Sequence, residues 1–506
     1  MTHQSVTPFN RKRRKAFKGY KIIVNKFALA KENSFFYDYY VTDLKMNSVR
    51  VCLITVVISL SMSCSVTKDK KNFVRVEKIV IGLDGVSYST FLDLQRDGYF
   101  ADFQPVAPMV ATFPSISDPN WNRLTGSEME ESYTKEYFDM SIENKNGLGV
   151  HSGSLLKHLI TSANYQRAFN VLPKTFFQHV LNTAWFETSA YYWLDVFADE
   201  ILNSDPKSET LSALIVNTDF IAHTQGEDSL KEYLKEVSVR LTDLIKKSTQ
   251  RFQQMPEFVL VSDHGNDFVT PQPIRIENSL EKLGWNKQNH LRSASDYAYV
   301  SPEILTFAAF YSLPKNERTL ALAIGKTPGV EFSIYKSADG FVHILGDGNE
   351  SEFKTRLAGS KIYYKKIKGK DLLGLSEIFK KTDTVDKADF FNKTLHSPYP
   401  YSLVRIWEAF YENSKQHASV IATSERGFAF FNPTLEAFTK IKGLRSQHGS
   451  LRSAESLGIV VSNRQLLPSL TPEQFAERYP IKKVLHTHAR GPTRETQILE
   501  MESLKK

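Results

Sequence analysis

Three aspartates and three histidines of this chain lie beside predicted strand ends and could bind metal ions. The six residues are Asp84, Asp219, His223, Asp263, His264 and His448. His223 follows Asp219 by four residues, which is one turn of a helix, so both side chains can face one point. Carboxylates and imidazoles in these numbers suit two borderline divalent cations, and zinc matches them best. The sequence therefore predicts a site for two divalent metal ions.

A serine between the first two aspartates could supply a nucleophile. In the segment PMVATFPSISDPNWNRLTG (108–126), Pro114 and Pro119 bracket Ser117, which indicates a rigid turn that leads into a helix. A serine at a helix N-terminus gains from the positive end of the helix dipole. The alternative is that Ser117 or Asp118 only caps that helix.

Apolar runs next to these residues predict the elements that position them. The runs are KIVIGL (78–83), LSALIVN (211–217), EFVLVS (257–262) and LGIVVS (457–462). Continuous runs of this kind are typical of strands buried on both faces of a parallel sheet. Between the second and third runs, Ser229 and Glu232 form a capping box before leucines at helical spacing. Strand, helix and strand in succession predict an α/β fold with a doubly wound, mostly parallel sheet, whose strand ends hold the ligand.

Residues of about 128–205 and 286–440 do not follow this alternation of strands and helices. We expect both stretches to be insertions that act as caps or lids. We expect a catalytic core in residues 75–285, interrupted by an insertion at about 128–205, and a second core segment in residues 441–490. Residues 286–440 form a predicted cap subdomain, with a hairpin turn at Asp339-Gly340. The aromatic stretch WFETSAYYWLDVF (185–197) either packs in a core or lines a pocket for a base or a lipid head group.

The charge of the chain is concentrated at its N-terminus. The 506 residues carry a formal net charge of +8, which invites a nucleic-acid or anionic-membrane partner. Residues 1–64 hold 11 basic and 3 acidic side chains, which leaves 53 of each for the remainder. Because the body is neutral, no nucleic-acid partner is expected. With 41% hydrophobic and 24% charged residues, the composition is that of a globular protein, which excludes a disordered one.

Residues 46–64 (MNSVRVCLITVVISLSMSC) have the layout of a signal peptide. The apolar run is too short to span a bilayer comfortably and ends at Cys64, as in a bacterial lipoprotein signal. Ser61 departs from the leucine usual three residues before such a cysteine, so plain secretion or an uncleaved anchor stays open. We expect an exported protein of the periplasm or cell envelope, anchored to the membrane through lipidated Cys64. Residues 1–45 are then an over-extended start of the reading frame.

Taken in order, the motifs of the body resemble those of the alkaline phosphatase superfamily, in the branch of type I phosphodiesterases and nucleotide pyrophosphatases. The motifs of this chain are LDG (83–85), FPSISDPNW (113–121), DFIAH (219–223), SDHG (262–265) and QHG (447–449). The chain departs from the branch at Ser117, where threonine is usual, and at Asp118 and Trp121, where phenylalanine and histidine are usual. The resemblance covers residues 75–465 and implies an alkaline phosphatase-like fold.

The resemblance also implies a role for each residue of the motifs. One metal site would consist of Asp219, His223 and His448. The other would consist of Asp84, Asp263 and His264, with Ser117 as the nucleophile that faces it. Asn120 would donate a hydrogen bond to a phosphate oxygen.

The function that follows is hydrolysis of phosphodiester or pyrophosphate bonds in a small substrate, such as a nucleotide or a lipid-head-group diester. One alternative is a phosphomonoesterase of the same superfamily, for which Arg123 or Arg445 could hold the additional phosphate charge. Another alternative is a non-catalytic envelope lipoprotein on the same fold.

Overall fold

The computed structural model describes most of the chain after the N-terminal segment. The described residues are 76–134, 136–152, 163–169, 186–203, 209–300, 304–431 and 443–481. The predicted segments 1–45 and 46–64, including Cys64, lie outside them. Within the described residues, no helix is both long enough and apolar enough to cross a membrane.

The chain divides into two compact units. One unit comprises residues 1–73 and 173–204, and its described part is a single helix, Phe186–Asn203. The other unit comprises residues 74–172 and 205–506 and contains all the predicted site residues.

The elements of the described residues are numbered in chain order. The strands are β1 (Lys78–Leu83), β2 (Ala107–Val110), β3 (Tyr137–Asn144), β4 (Gly147–Ser152), β5 (Thr210–Ile215), β6 (Glu257–Val261), β7 (Gln272–Pro273), β8 (Asn286–Lys287), β9 (Asp296–Val300), β10 (Ile304–Leu305), β11 (Phe307–Ser312), β12 (Val330–Lys336), β13 (Val342–Gly346), β14 (Ser351–Ala358), β15 (Lys361–Lys368), β16 (Thr384–Asp386), β17 (Val420–Ser424), β18 (Phe428–Phe431) and β19 (Leu457–Ser462). The helices are α1 (Tyr88–Arg96), α2 (Ser117–Thr125), α3 (Phe186–Asn203), α4 (Asn217–Gln225), α5 (Glu227–Phe252), α6 (Ile276–Lys282), α7 (Glu317–Ile324), α8 (Lys387–Thr394), α9 (Ser402–Ala409), α10 (Ser453–Ser456) and α11 (Pro472–Arg478). Single 3-10 turns occur at Asn164–Arg167 and Asp347–Asn349.

The central sheet has five strands in the order β2-β19-β6-β1-β5. Strand β1 pairs in parallel with β5 and β6, whereas β19 is antiparallel to β6 and β2. The sheet is therefore mostly parallel, as predicted, and all four predicted strands belong to it. Strand β2, which the apolar pattern missed, is the fifth. Because β19 runs in the opposite direction, its start lies at the same edge as the carboxyl ends of the other four strands.

The buried strands and the long helix α5 follow from their apolar residues. In β1 every residue after Lys78 is buried, and in β6 all five residues are buried. Helix α5 buries one face through the predicted leucines, including Leu230 and Leu241. The predicted capping box was wrong, because α5 begins at Glu227, directly after the turn at Gly226. Gly226 has φ +87°, and this conformation ends α4 and starts α5 within one residue.

The predicted cap region, residues 286–440, contains a second sheet of nine strands in the order β16-β15-β14-β13-β12-β17-β11-β9-β8. Its neighbouring strands are antiparallel except for β8 and β9. The hairpin predicted at Asp339-Gly340 joins β12 and β13, and Gly340 has φ +80°. One face packs against residues of α8 and α9, and the other packs against residues of α6 and α7.

A buried arginine of α9 ties this second region to the loop that precedes α2. Arg405 is 1% exposed, and its guanidinium donates to the carbonyl oxygens of Thr112 at 2.9 Å, Pro400 at 3.1 Å and Leu451 at 3.3 Å. Beyond α9, the Asn413 amide donates to the Phe113 carbonyl at 2.7 Å. The loop that leads to Ser117 is thus held by side chains that come from the predicted cap.

Replacing Arg405 by methionine should therefore lower the free energy of unfolding. The substitution leaves three buried carbonyl groups without their donor, so we expect a loss of about 2–4 kcal/mol in urea-induced unfolding. Arg96→Met removes an exposed arginine, whose side chain is 70% accessible, and should change the value by less than about 0.5 kcal/mol. Equal effects of the two substitutions would contradict the assigned role of Arg405.

Candidate active site

Every strand of the central sheet delivers a predicted site residue to the same edge. Asp84 follows β1, Ser117 opens α2 after β2, and Asp263 follows β6. Asp219 lies on α4 after β5, and His448 lies in the loop before β19. Residues that are far apart in the sequence thus converge because the topology brings the ends of five strands together.

The first group consists of Asp84, Asp263, His264 and Ser117. The Ser117 hydroxyl donates to Asp84 Oδ1 at 3.1 Å and lies 3.3 Å from His264 Nε2. Asp263 Oδ2 lies 3.4 Å from the same His264 nitrogen. The donor atoms of the two aspartates and His264 all lie within 4.8 Å of one another.

The second group consists of Asp219, His223 and His448. Asp219 Oδ2 lies 3.3 Å from His223 Nε2 and 3.8 Å from His448 Nε2, and the two imidazole nitrogens are 3.1 Å apart. Helix α4 carries Asp219 and His223 one turn apart, as their spacing predicted. His264 lies close to this group too, because donor atoms of Asp219, His264 and His448 fall within 4.8 Å of one another.

The three imidazole rings have their protons fixed on the side away from these groups. Nδ1 of His223 faces the Ser446 carbonyl at 3.0 Å, and Nδ1 of His448 faces the Ser115 carbonyl at 2.9 Å. Nδ1 of His264 faces the Gly265 carbonyl at 2.9 Å. A nitrogen that bonds a carbonyl oxygen must carry the hydrogen, so in the neutral ring each Nε2 presents a lone pair. The 3.1 Å contact between His223 and His448 therefore brings two acceptors together.

Asp84 and Asp263 are buried, and the half-buried Asp219 lies close to them. Burial raises the pKa of the Asp84 carboxyl well above its usual value, and the nearby Asp263 and Asp219 raise it further. Burial also raises the pKa of Asp263, and Asp219 adds to the shift. Among the described residues, no lysine or arginine pairs with any of the three aspartates. Burial lowers the pKa of His448 well below its usual value, which keeps that ring neutral.

The two groups fit divalent cations. Asp263 Oδ2 is fully buried without a hydrogen-bond partner, and paired acceptors at 3.1 Å require a positive charge between them. Ligands of a tetrahedral zinc ion, each about 2.0–2.1 Å from the metal, lie roughly 3.4 Å from one another. The separations of 3.1–3.4 Å that Ser117 and His264 make in the first group, and of 3.1–3.8 Å in the second group, are close to that value. The imidazole bonds to backbone carbonyls are also those that orient metal-binding histidines.

Ser117 is the first residue of α2 and not its cap, because Ile116 occupies the N-cap position without a side-chain bond. The alternative that Ser117 or Asp118 caps the helix is therefore wrong. The Ser117 hydroxyl is free to face Asp84 and His264, and the positive end of the helix lies behind it.

The Asn120 side chain is fully buried and bonds the backbone around it. Its Oδ1 accepts from the Thr112 N–H at 2.6 Å, and its Nδ2 donates to the Ile116 carbonyl at 2.8 Å. These bonds brace the loop before Ser117. The bond from Asn120 to a phosphate oxygen stays a prediction.

Two further residues hold the aspartates in place, and the sequence reasoning missed both. The Trp121 indole N–H donates to Asp84 Oδ1 at 3.1 Å from a fully buried ring. The Asn266 amide donates to Asp219 Oδ1 at 2.9 Å and to the Gly85 carbonyl at 2.7 Å. Trp121 stands one helical turn after Ser117, which is the spacing that could have revealed it.

Gly85 explains why a glycine follows Asp84. Its φ is +63°, and a Cβ placed there would lie 2.3 Å from Asp219 Oδ1. A glycine is therefore needed for the second aspartate to approach the first.

The arginines named as candidate phosphate ligands differ in their surroundings. Arg123 pairs with Glu412 at 3.1 Å and with Glu473 at 2.8 Å, so its charge is matched within the protein. Arg445 is an exposed residue whose backbone N–H donates to the His223 carbonyl at 2.8 Å.

No protein-family model matches the chain, and neither does any curated protein. Solved structures that match include the murine ectonucleotide pyrophosphatase/phosphodiesterase 5, at 13% identity and a TM-score of 0.45, over 85% of this chain and 99% of that chain. Phosphonoacetate hydrolase from Sinorhizobium meliloti 1021, in complex with phosphonoformate, matches at 13% identity and a TM-score of 0.43, over 81% of this chain and 97% of that chain. The human ectonucleotide pyrophosphatase/phosphodiesterase 5 matches at 12% identity and a TM-score of 0.43, over 83% of this chain and 98% of that chain.

Replacing Trp121 by phenylalanine should weaken metal binding by the first group of residues. The ring volume is largely kept, but Asp84 loses the N–H that orients it, so we expect zinc affinity at that site to fall about 10–100-fold. Competition with a chromophoric chelator measures both affinities in the metal-free protein. Trp407→Phe makes the same change at a tryptophan outside the site and should leave both affinities unaltered. Unchanged affinities in Trp121→Phe would contradict the role assigned to Trp121.

Proposed function

We propose that this protein hydrolyses phosphodiester or pyrophosphate bonds, with Ser117 as the nucleophile and two divalent metal ions, zinc by preference, as cofactors. The observation that carries the proposal is the position of the Ser117 hydroxyl. It lies 3.1 Å from Asp84 Oδ1 and 3.3 Å from His264 Nε2, at the N-terminus of α2. A hydroxyl so placed faces ligands that suit a metal ion, and it can reach a phosphorus atom bound beside them.

The ligands would divide as the motifs imply. Asp84, Asp263 and His264 would hold one ion beside Ser117, and Asp219, His223 and His448 would hold the other. When bound, such ions lower the pKa of a neighbouring hydroxyl and offset the negative charge that develops on phosphate oxygens.

The residues of the chain would then carry the substitution at phosphorus. Ser117 Oγ forms a bond to phosphorus while the bond from phosphorus to the leaving alcohol or phosphate breaks. The hydroxyl proton passes from Oγ to solvent water, and the leaving oxygen takes up a proton from solvent. The N-terminal turn of α2 stabilises the anionic phosphoryl group next to it. Water then cleaves the Oγ–phosphorus bond, which releases a phosphomonoester and restores the serine. Two displacements in sequence predict retention of configuration at phosphorus.

A diester suits the charges of the site better than a monoester. A monoester brings one more negative charge, and Arg123, which could have met it, already pairs with Glu412 and Glu473.

We also propose that the chain acts in the cell envelope on a small diester of the nucleotide or lipid-head-group type. The signal-peptide layout of residues 46–64 supports this location. Lipidation at Cys64 would then hold the protein at the membrane.

Replacing Ser117 by alanine should abolish turnover without removing the metal. We expect kcat to fall at least about 1,000-fold, because loss of a nucleophile closes the covalent route, while two equivalents of metal remain bound. Steady-state hydrolysis of bis(p-nitrophenyl) phosphate and elemental analysis measure the two quantities. Ser127→Ala changes a serine just beyond the other end of α2 and should retain activity. Unchanged turnover in Ser117→Ala would refute the nucleophile.

A comparison of model substrates separates the two esterase classes. We expect kcat/KM for bis(p-nitrophenyl) phosphate to exceed that for p-nitrophenyl phosphate by at least about tenfold, since Arg123, which could have met the extra charge of the monoester, is already paired. A preference for the monoester would replace this proposal with a phosphomonoesterase.

A further inference from the structure

One hairpin of the second sheet carries an unusual concentration of positive charge. Residues 354–370, which we call the basic hairpin, comprise most of β14, all of β15 and the turn that joins them. They hold seven basic side chains and no acidic one. The seven are Lys354, Arg356, Lys361, Lys365, Lys366, Lys368 and Lys370. In a body with equal numbers of acidic and basic groups, this segment stands apart.

The fold does not require these charges. Side chains of the hairpin that face the core are apolar and buried, as in Ile362 at 0% and Tyr364 at 4% exposure. On β14 and β15, Lys354 stands directly opposite Lys365, and like charges in that position destabilise a strand pair. Packing does not explain why the fold keeps this destabilising pair of lysines. The pair therefore indicates a role other than stabilising the folded state.

Several of the cations remain available to a partner. Arg356 and Lys365 are exposed on the face of the hairpin that covers Phe341, and among the described residues no carboxylate lies within ion-pair distance of either. Lys361 lies 3.9 Å from Asp386 and Lys370 lies 2.8 Å from Asp347, so the pairing is confined to the ends of β15. Lys366 points to the opposite face of the strand, where its positive charge helps to lower the pKa of Asp371. The uncompensated charge in the middle of the hairpin therefore lies on the face of Arg356 and Lys365.

Apolar and aromatic groups lie among the cations. Ile367 is 45% exposed between two lysines. The half-buried ring of Phe341 lies beneath Lys354, whose Nζ is 4.2 Å from the ring centroid, and beneath Arg356 at 4.9 Å. Tyr363 packs edge-on against the same ring at 5.3 Å. Basic heads above apolar groups are typical of surfaces that meet the interface of a bilayer.

We propose that the basic hairpin docks on the surface of an anionic lipid bilayer. Each lysine or arginine close to such a surface is attracted by its negative potential, and an exposed isoleucine can enter the head-group region. The predicted lipid at Cys64 would supply one membrane contact, and a lipid together with a polybasic patch is a common arrangement for stable attachment. This docking is independent of the hydrolysis proposed above.

Binding to vesicles tests the docking. The full chain with Cys64→Ser is mixed with sedimenting vesicles of phosphatidylcholine, with and without 30% phosphatidylglycerol. We expect clearly tighter binding to the anionic vesicles, and this preference should disappear at high salt, where surface charges are screened. Arg356→Glu together with Lys365→Glu should weaken anionic binding at least about tenfold at low salt.

The control double variant changes the net charge of the protein by the same amount, but outside the basic hairpin. Lys246→Glu with Lys282→Glu reverses two exposed lysines outside the hairpin and should retain most of the anionic preference. All variants share one N-terminus, so its membrane affinity is common to them, and all should hydrolyse a small soluble diester at the parental rate. Equal binding to both vesicle types, or equal losses in the two double variants, would overturn the proposal. Binding to a single-stranded RNA probe without binding to anionic vesicles would also overturn it.

Discussion

The structure depends on one electrostatic constraint at the edge of the central sheet. Asp84, Asp219 and Asp263 lie together, largely out of water, and the imidazole lone pairs of three histidines point at the same place. Among the described residues, neither lysine nor arginine offsets this charge. Buried carboxylates and opposed acceptors are costly unless a cation lies between them. The residues that bond the aspartates and the imidazoles hold this cluster together in the folded protein.

The residues that hold the cluster in place come from the strands, helices and loops around both sheets. Parallel strands bring the aspartates to one edge, and the reversed direction of β19 brings His448 to the same edge. Trp121 and Asn266 orient the carboxylates, and backbone carbonyls orient the imidazoles. The second sheet contributes through Arg405, which holds the loop before Ser117. The predicted cap is therefore also part of the scaffold of the site.

Much of this could be predicted from the sequence, because buried strands leave continuous apolar runs and metal ligands are of few residue types. Four central strands and the converging residues were predicted on that basis. Strand β2 was missed because it has only four residues, one of them a proline. The start of α5 was misplaced because the turn at Gly226 outweighed the capping-box pattern. The Trp121 bond and the order of the nine-stranded sheet depend on contacts between distant segments, which local patterns do not encode.

Anomalous X-ray scattering from crystals of protein purified without chelators would locate metal ions bound at the edge of the central sheet. We predict two strong peaks from bound divalent metal, each enclosed by one group of ligands. The groups are Asp84, Asp263, His264 and Ser117 for one peak, and Asp219, His223 and His448 for the other. A folded protein whose map lacks both peaks, or holds metal only at other residues, would contradict it.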